Sequence, residues 1–196
     1  MQDTELYQQI LWLEAPWAVT AVRLDLKAKV VDVWVDHEEG VRWRCPECDA
    51  SLATYDHVEE RTWRHLDTCH LMTLLHAKTP RVACPQHGVK RIQLPWAEPL
   101  SRFTLLFECK TIDVLKEADA EGTTRILHLG WKEAWRIQEK AVTRGLAAKA
   151  KAVIPRLGVD EKAIAKGHDY FTLVCNLDSE TVEYVAEDRK QASLDG

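Results

Sequence analysis

Apolar residues in this chain recur at helical spacing, then at period two, then at helical spacing again, and finally at period two once more. Leu6, Ile10, Leu13 and Trp17 step three or four residues apart, which predicts a short helix or arm from Thr4 to Leu13 with those side chains buried. From Trp17 to Asp36 the pattern alternates. Val22, Leu24 and Leu26, then Val31, Val33 and Val35, joined across Lys27-Ala28-Lys29, predict a β-hairpin with Asp25, Asp32 and Asp36 at exposed positions. Further short strands are expected at 41–44, 61–65, 71–77, 81–83 and 89–92, and Thr79-Pro80 should break the third of these.

Pro95 to Pro99 interrupts the strand pattern. Ser101 is then an expected N-cap for a helix to about Ala118, with Phe103, Leu106, Phe107, Val114, Leu115 and Ala118 inward. Ala120-Glu121-Gly122 should end it. Thr123 or Thr124 would cap a short helix from Arg125 to Leu129, Gly130 would turn, and Trp131 to about Leu146 would form a longer helix with Trp131, Trp135, Ile137 or Gln138, and Val142 inward. Short helix, turn and second helix match a helix-turn-helix, whose second helix would enter the major groove. Lys132, Glu133, Arg136 and Lys140 would then reach bases or phosphates, and Arg125, Arg144, Lys149 and Lys151 phosphates only. An ordinary pair of bundle helices fits the same periodicity. Past this region Leu157 to Glu161, Tyr170 to Leu177 and Thr181 to Ala186 read as three strands, with Asp160 at the acidic end of the first. Such a carboxylate suits either a metal or a solvated strand end.

Two short stretches carry the clearest chemistry. Cys45-Pro46-Glu47-Cys48 and Cys84-Pro85-Gln86-His87 each set two soft ligands on one turn, and 35 residues separate the pairs. Together they supply a closed Cys3His shell, which predicts a structural zinc ion in a ribbon of strands. A lone CxxC would also suit thiol redox chemistry, but that chemistry needs no second pair. Gly88 follows the second pair, where a side chain is expected to crowd the turn. Cys69 is read as core, and His57, His65, His70 and His76 as exposed or hydrogen-bonded structural residues.

The 196 residues carry a net charge of −5 and six cysteines. With three cysteines assigned to zinc, the rest show no disulfide framework, and no apolar run approaches 18 residues, so a cytoplasmic protein without a membrane partner is expected. Charge is unevenly spread. Residues 122–156 hold eight Lys or Arg against Glu133 and Glu139, enough to neutralise several phosphates, while both ends of the chain are acidic.

The order of parts, with CPEC, CPQH and the Gly158-Val159-Asp160-Glu161 to Tyr170 stretch, resembles the N-terminal half of bacterial insertion-sequence transposases of the ISL-three family. The resemblance implies an α+β, multi-domain chain: an N-terminal arm and β-hairpin (1–40), a zinc-ribbon module (41–96), a helix-turn-helix region (97–156) and an incomplete RNase H-like segment (157–196). In that family two Asp and one Glu hold two divalent metals for phosphodiester chemistry. Asp160 matches the first acid, whereas Asp169, Asp178 and Asp195 do not sit where the second should. A truncated transposase or transposase-derived protein is therefore expected, inactive alone by its missing acids and needing Mg2+ only with a complete catalytic domain. Its expected partners are double-stranded DNA of terminal inverted repeats and either its own copies or a full-length transposase. A stand-alone transcription regulator and a zinc-stabilised protein-interaction module are the competing readings.

Overall fold

Val31, Val33 and Val35, almost fully buried at alternate positions of one strand, mark the centre of the larger unit in this computed structural model. The structure describes residues 2–149, 153–163 and 170–186. It divides into Met1–Arg144 and Gly145–Gly196. Among the described residues it is an α+β chain with four helices and three sheets.

The chain opens with α1 (Asp3–Ile10), and β1 (Trp17–Asp25) pairs antiparallel with β2 (Val30–His37) across the expected turn. Helix α1 faces the core through Tyr7, followed by Leu11 and Leu13, while Leu6 and Ile10 stay exposed. The helix is therefore turned by about one residue from the sequence expectation. Gln8 fixes that orientation: its amide nitrogen donates to the Leu13 and Trp17 carbonyls, and its oxygen accepts the Val19 N–H. Leu24 and Leu26 are exposed as well, Leu24 near the end of the edge strand β1 and Leu26 in the turn beyond it.

After β2 come β3 (Arg42–Arg44), β4 (Ser51–His57), β5 (Arg61–Arg64), β6 (Met72–Ala77), β7 (Pro80–Cys84) and β8 (Gly88–Arg91). Strand β2 pairs parallel with β6, which pairs with β5, so the first sheet runs β1-β2-β6-β5. The second runs β3-β4-β7-β8 and is antiparallel throughout. Trp43 and Val82 of the second sheet join Val33, Trp63, Leu75 and Trp96 in one core. Ring pairs Trp17–Trp96 at 4.7 Å, Trp17–Trp43 at 5.2 Å and Trp63–Trp96 at 5.8 Å weld the two sheets with tilted and edge-on contacts.

Two sequence expectations fail here. Asp32 is buried, not exposed, and is held by Arg23 at 2.7 Å and by His76 at 2.8 Å. Burial alone would raise its carboxyl, yet the hydrogen bonds from Arg23 and His76 hold it below the usual range. Cys69 is exposed in a tight turn where it and His70 both have positive φ, so it does not belong to the core.

Helix α2 (Leu105–Glu117) is capped by Thr104, whose hydroxyl accepts the Phe107 N–H, and not by Ser101. Ser101 instead donates to Glu108, buried on α2. Helix α3 (Ala120–Leu127) begins at Asp119, whose carboxylate accepts the Gly122 N–H, so the stretch expected to end one helix starts the next. His128, at φ +52°, ends it, and α4 (Trp131–Ala148) follows. The buried residues of α4 are Ala134 and Ile137; Trp131, Trp135 and Val142 are exposed. In the second unit, β9 (Leu157–Ala163), β10 (Tyr170–Asn176) and β11 (Thr181–Ala186) form an antiparallel meander with β10 central. No helix among the described residues is long and apolar enough to cross a membrane.

Candidate metal centre and nucleic-acid interface

The two ligand pairs sit in two turns of the same kind. The first lies between β3 and β4, where the Asp49 N–H donates to the Cys45 carbonyl at 2.9 Å and the Cys45 N–H donates to Ala50. The second lies between β7 and β8. In each turn the fourth residue past the first cysteine has positive φ: Asp49 at +59° and Gly88 at +69°. Gly88 is therefore suited to its backbone angle. Crowding is not the reason, since an added Cβ would meet nothing within 4 Å.

Antiparallel pairing of β4 with β7 brings the two turns together, and the donor atoms of Cys45, Cys48, Cys84 and His87 all lie within 4.8 Å of one another. The Cys48 and Cys84 sulfurs are 3.7 Å apart, and His87 Nδ1 lies 3.5 Å from Cys84 and 3.9 Å from Cys45. A tetrahedral ion with ordinary zinc bond lengths needs about 3.8 Å between sulfurs and about 3.6 Å between sulfur and nitrogen. The donors fit. Lys90 reaches Glu47 across the two turns at 3.2 Å, and Arg81 grips Asp56 through two hydrogen bonds on the strands that carry them.

Local dipoles prepare the thiolates the metal requires. The Glu47 N–H lowers the Cys45 thiol against the opposing effect of burial, and the Gln86 N–H does the same for Cys84. Cys48 moves the other way, because the favourable Ala50 N–H is outweighed by burial and the neighbouring sulfurs. These four residues form a structural zinc site. With four protein ligands the shell is closed, so the ion holds the turns together and offers no position to substrate.

The expected DNA-contacting residues fall into two groups. Arg125, Lys132 and Arg136 are exposed and hold no ion pair among the described residues. Lys140 lies 3.6 Å from Glu98 and 3.7 Å from Glu108, Arg144 binds Glu98, and Lys149 binds Glu183. Glu133 turns back, its carboxylate accepting the Gly130 N–H at 2.9 Å, which caps α4. Asp160 is exposed on β9 opposite Leu173. Among the described residues the zinc ligands are the one group of three or more ligating side chains that could share an ion. Lys151, Gly167, His168, Asp169 and Asp195 lie outside the described residues.

Sequence reasoning passed over Glu98 and Glu108, the carboxylates that hold Lys140 and Arg144. Nothing in their spacing marked them, since they come from a loop and a helix that meet α4 only in the fold.

Comparison with known proteins agrees with the metal centre. Residues 42–87 match the family described as the zinc-finger of transposase IS204/IS1001/IS1096/IS1165. The chain is 27% identical over 159 residues to the transposase for insertion sequence element IS1557 of Mycobacterium tuberculosis, covering 77% of this chain and 34% of that one. It is 24% identical over 168 residues to the transposase for insertion sequence element IS1001 of Bordetella parapertussis, covering 85% of this chain and 38% of that one. The chain thus spans little more than a third of the length of these relatives. No solved structure matches it.

Proposed function

Since the chain is related to the insertion-sequence transposases of the ISL-three type, we propose that it is a zinc-stabilised DNA-recognition segment that binds the terminal inverted repeats of such an element. The observation that carries this reading is the α3–α4 pair, joined by the three residues His128 to Gly130, with Arg125, Lys132 and Arg136 exposed and without an ion pair among the described residues. In a helix-turn-helix the second helix enters the major groove, so Lys132 and Arg136 near the start of α4 reach base edges or phosphates, and Arg125 contacts the backbone. Glu133, tied to Gly130, holds the helix start instead of reading sequence. The antiparallel meander β9-β10-β11 is read as the opening of an RNase H-like domain with Asp160 as its first acid. One carboxylate does not hold two metals, so strand cleavage is no part of the function proposed for the described residues.

The test is a salt-titrated binding assay of the zinc-loaded chain against duplexes copied from the ends of the element flanking its coding frame. End duplexes should bind about a hundredfold or more tighter than scrambled ones, and affinity should fall steeply with salt. Equal binding to scrambled DNA, or an affinity indifferent to salt, would defeat the proposal.

A further inference from the structure

Two tryptophans sit outside the core that the sequence assigns them to. Trp131 and Trp135, one turn apart at the start of α4, are 58% and 52% exposed, and their rings stack in parallel at 5.6 Å with an interplanar angle of 8°. Large apolar rings held on the surface point to a binding role, because a core position would recover the free energy of their hydration. The cations around them are equally distinctive. On the same helix Lys132 and Arg136 hold no ion pair among the described residues, whereas Lys140 and Arg144 are taken by Glu98 and Glu108. At about 100° per residue, Lys132 and Arg136 lie about 100° around the helix from the two rings, which sets a ridge of rings beside a ridge of cations.

Flat apolar faces beside unpaired cations suit a polyanion that displays flat faces of its own. Nucleic acid with unpaired bases has that chemistry, while the bases inside a duplex are already stacked on each other. A second copy of this chain suits the surface less, because it would bring unpaired cations close to their own equals. We propose that Trp131 and Trp135 form a stacking platform for unpaired DNA bases, with Lys132 and Arg136 holding the adjoining phosphates. This rests on the DNA-binding reading above and adds the class of DNA: a strand with frayed or overhanging bases.

The zinc-loaded full chain is titrated by fluorescence anisotropy with a blunt duplex and with the same duplex carrying a short 3′ overhang. The overhang probe should bind about tenfold tighter. The double variant Trp131→Ala, Trp135→Ala should lose that preference while its affinity for the blunt duplex changes by less than about threefold, and Trp131→Phe, Trp135→Phe should keep it. Both side chains are exposed, and thermal unfolding checks that the Ala variant stays folded. Equal binding of the two probes by the unsubstituted chain overturns the platform, and so does a preference that survives the Ala pair. Dimerisation that the Ala pair abolishes, with probe binding unchanged, assigns the rings to a second copy and overturns it too. Blunt-duplex binding without preference leaves the function proposed above standing, whereas no binding to either probe removes both.

Discussion

His65 should make this protein sensitive to mild acid. It is 4% exposed, its Nδ1 lies 2.9 Å from the Thr104 hydroxyl, and that hydroxyl also accepts the Phe107 N–H at the start of α2. In either tautomer the neutral ring satisfies this bond with one nitrogen, and burial leaves a second ring proton without water to solvate its charge. Burial, with the nearby Arg64 charge as a lesser cause, lowers the His65 pKa to about 4. A histidine depressed in the folded state stabilises the protein above its unfolded pKa of about 6.5, and loses that stabilisation as pH falls towards the folded value. The loss is about 1.4 kcal/mol per pH unit across that window, or about 3 kcal/mol in all. His65→Gln retains an oxygen that can accept from Thr104 and carries no titrating proton. Urea unfolding followed by tryptophan fluorescence, with excess zinc and at several pH values, measures both chains. Protonation of the zinc ligands is common to the two and cancels in their difference. The variant should be less stable by about 1–2 kcal/mol at pH 7.5, and that deficit should shrink and then reverse as pH falls from 6.5 to 4. Stability curves that stay parallel through this window would refute the reasoning.

Three further outcomes follow from the geometry. Cys84→Ser puts a hydroxyl among the zinc ligands at a buried position, so freshly purified protein should hold well under one zinc per chain by elemental analysis and unfold at a lower temperature; full zinc content with an unchanged midpoint counts against the ligand set. Glu98→Gln releases Arg144 and leaves Lys140 to Glu108 alone, so on the DNA-binding reading affinity for duplex should rise and the slope of log K against log salt should steepen by about 1, whereas an unchanged slope means Arg144 does not reach phosphate. Asp32→Asn removes a carboxylate whose burial opposes ionisation but whose bonds from Arg23 and His76 favour it. The stability it adds is present above about pH 4 and is lost as pH falls through its depressed folded pKa, so chemical denaturation should show a gap between wild type and variant at neutral pH that closes in acid.

The zinc centre was legible because its information is local: each pair lies on one turn, and the spacing of Cys45 to Cys48 and of Cys84 to His87 fixes which donors can converge. The β1–β2 hairpin was legible for the same reason, its strands being joined by a short turn. The parallel pairing of β2 with β6 was not, since it joins segments about 40 residues apart with no sequence mark of register. Strand β4 escaped notice because only alternate, half-buried positions such as Leu52 and Thr54 face inward, amid polar neighbours. The inward face of α4 was legible only in part: Ile137 is buried as expected, but the tryptophans outweigh Ala134 in any hydrophobic count, although Ala134 is the other residue the helix buries. Asp32 looked solvated because its partners, Arg23 and His76, come from other strands.

The parallel ladder between β2 and β6 also bears on how fragments of this protein can be cut. The segment 42–87 contains β6 but not β2, and it would carry Trp43, Val82 and Leu75 into water without Val31, Val33 and Val35 to cover them. Zinc could still close the two turns of such an excised peptide, yet one flank of its central strand would be left as an open edge prone to self-association. An autonomous piece has to retain the first hairpin and extend at least to Trp96, which makes it more than one and a half times as long as the span recognised as a zinc finger.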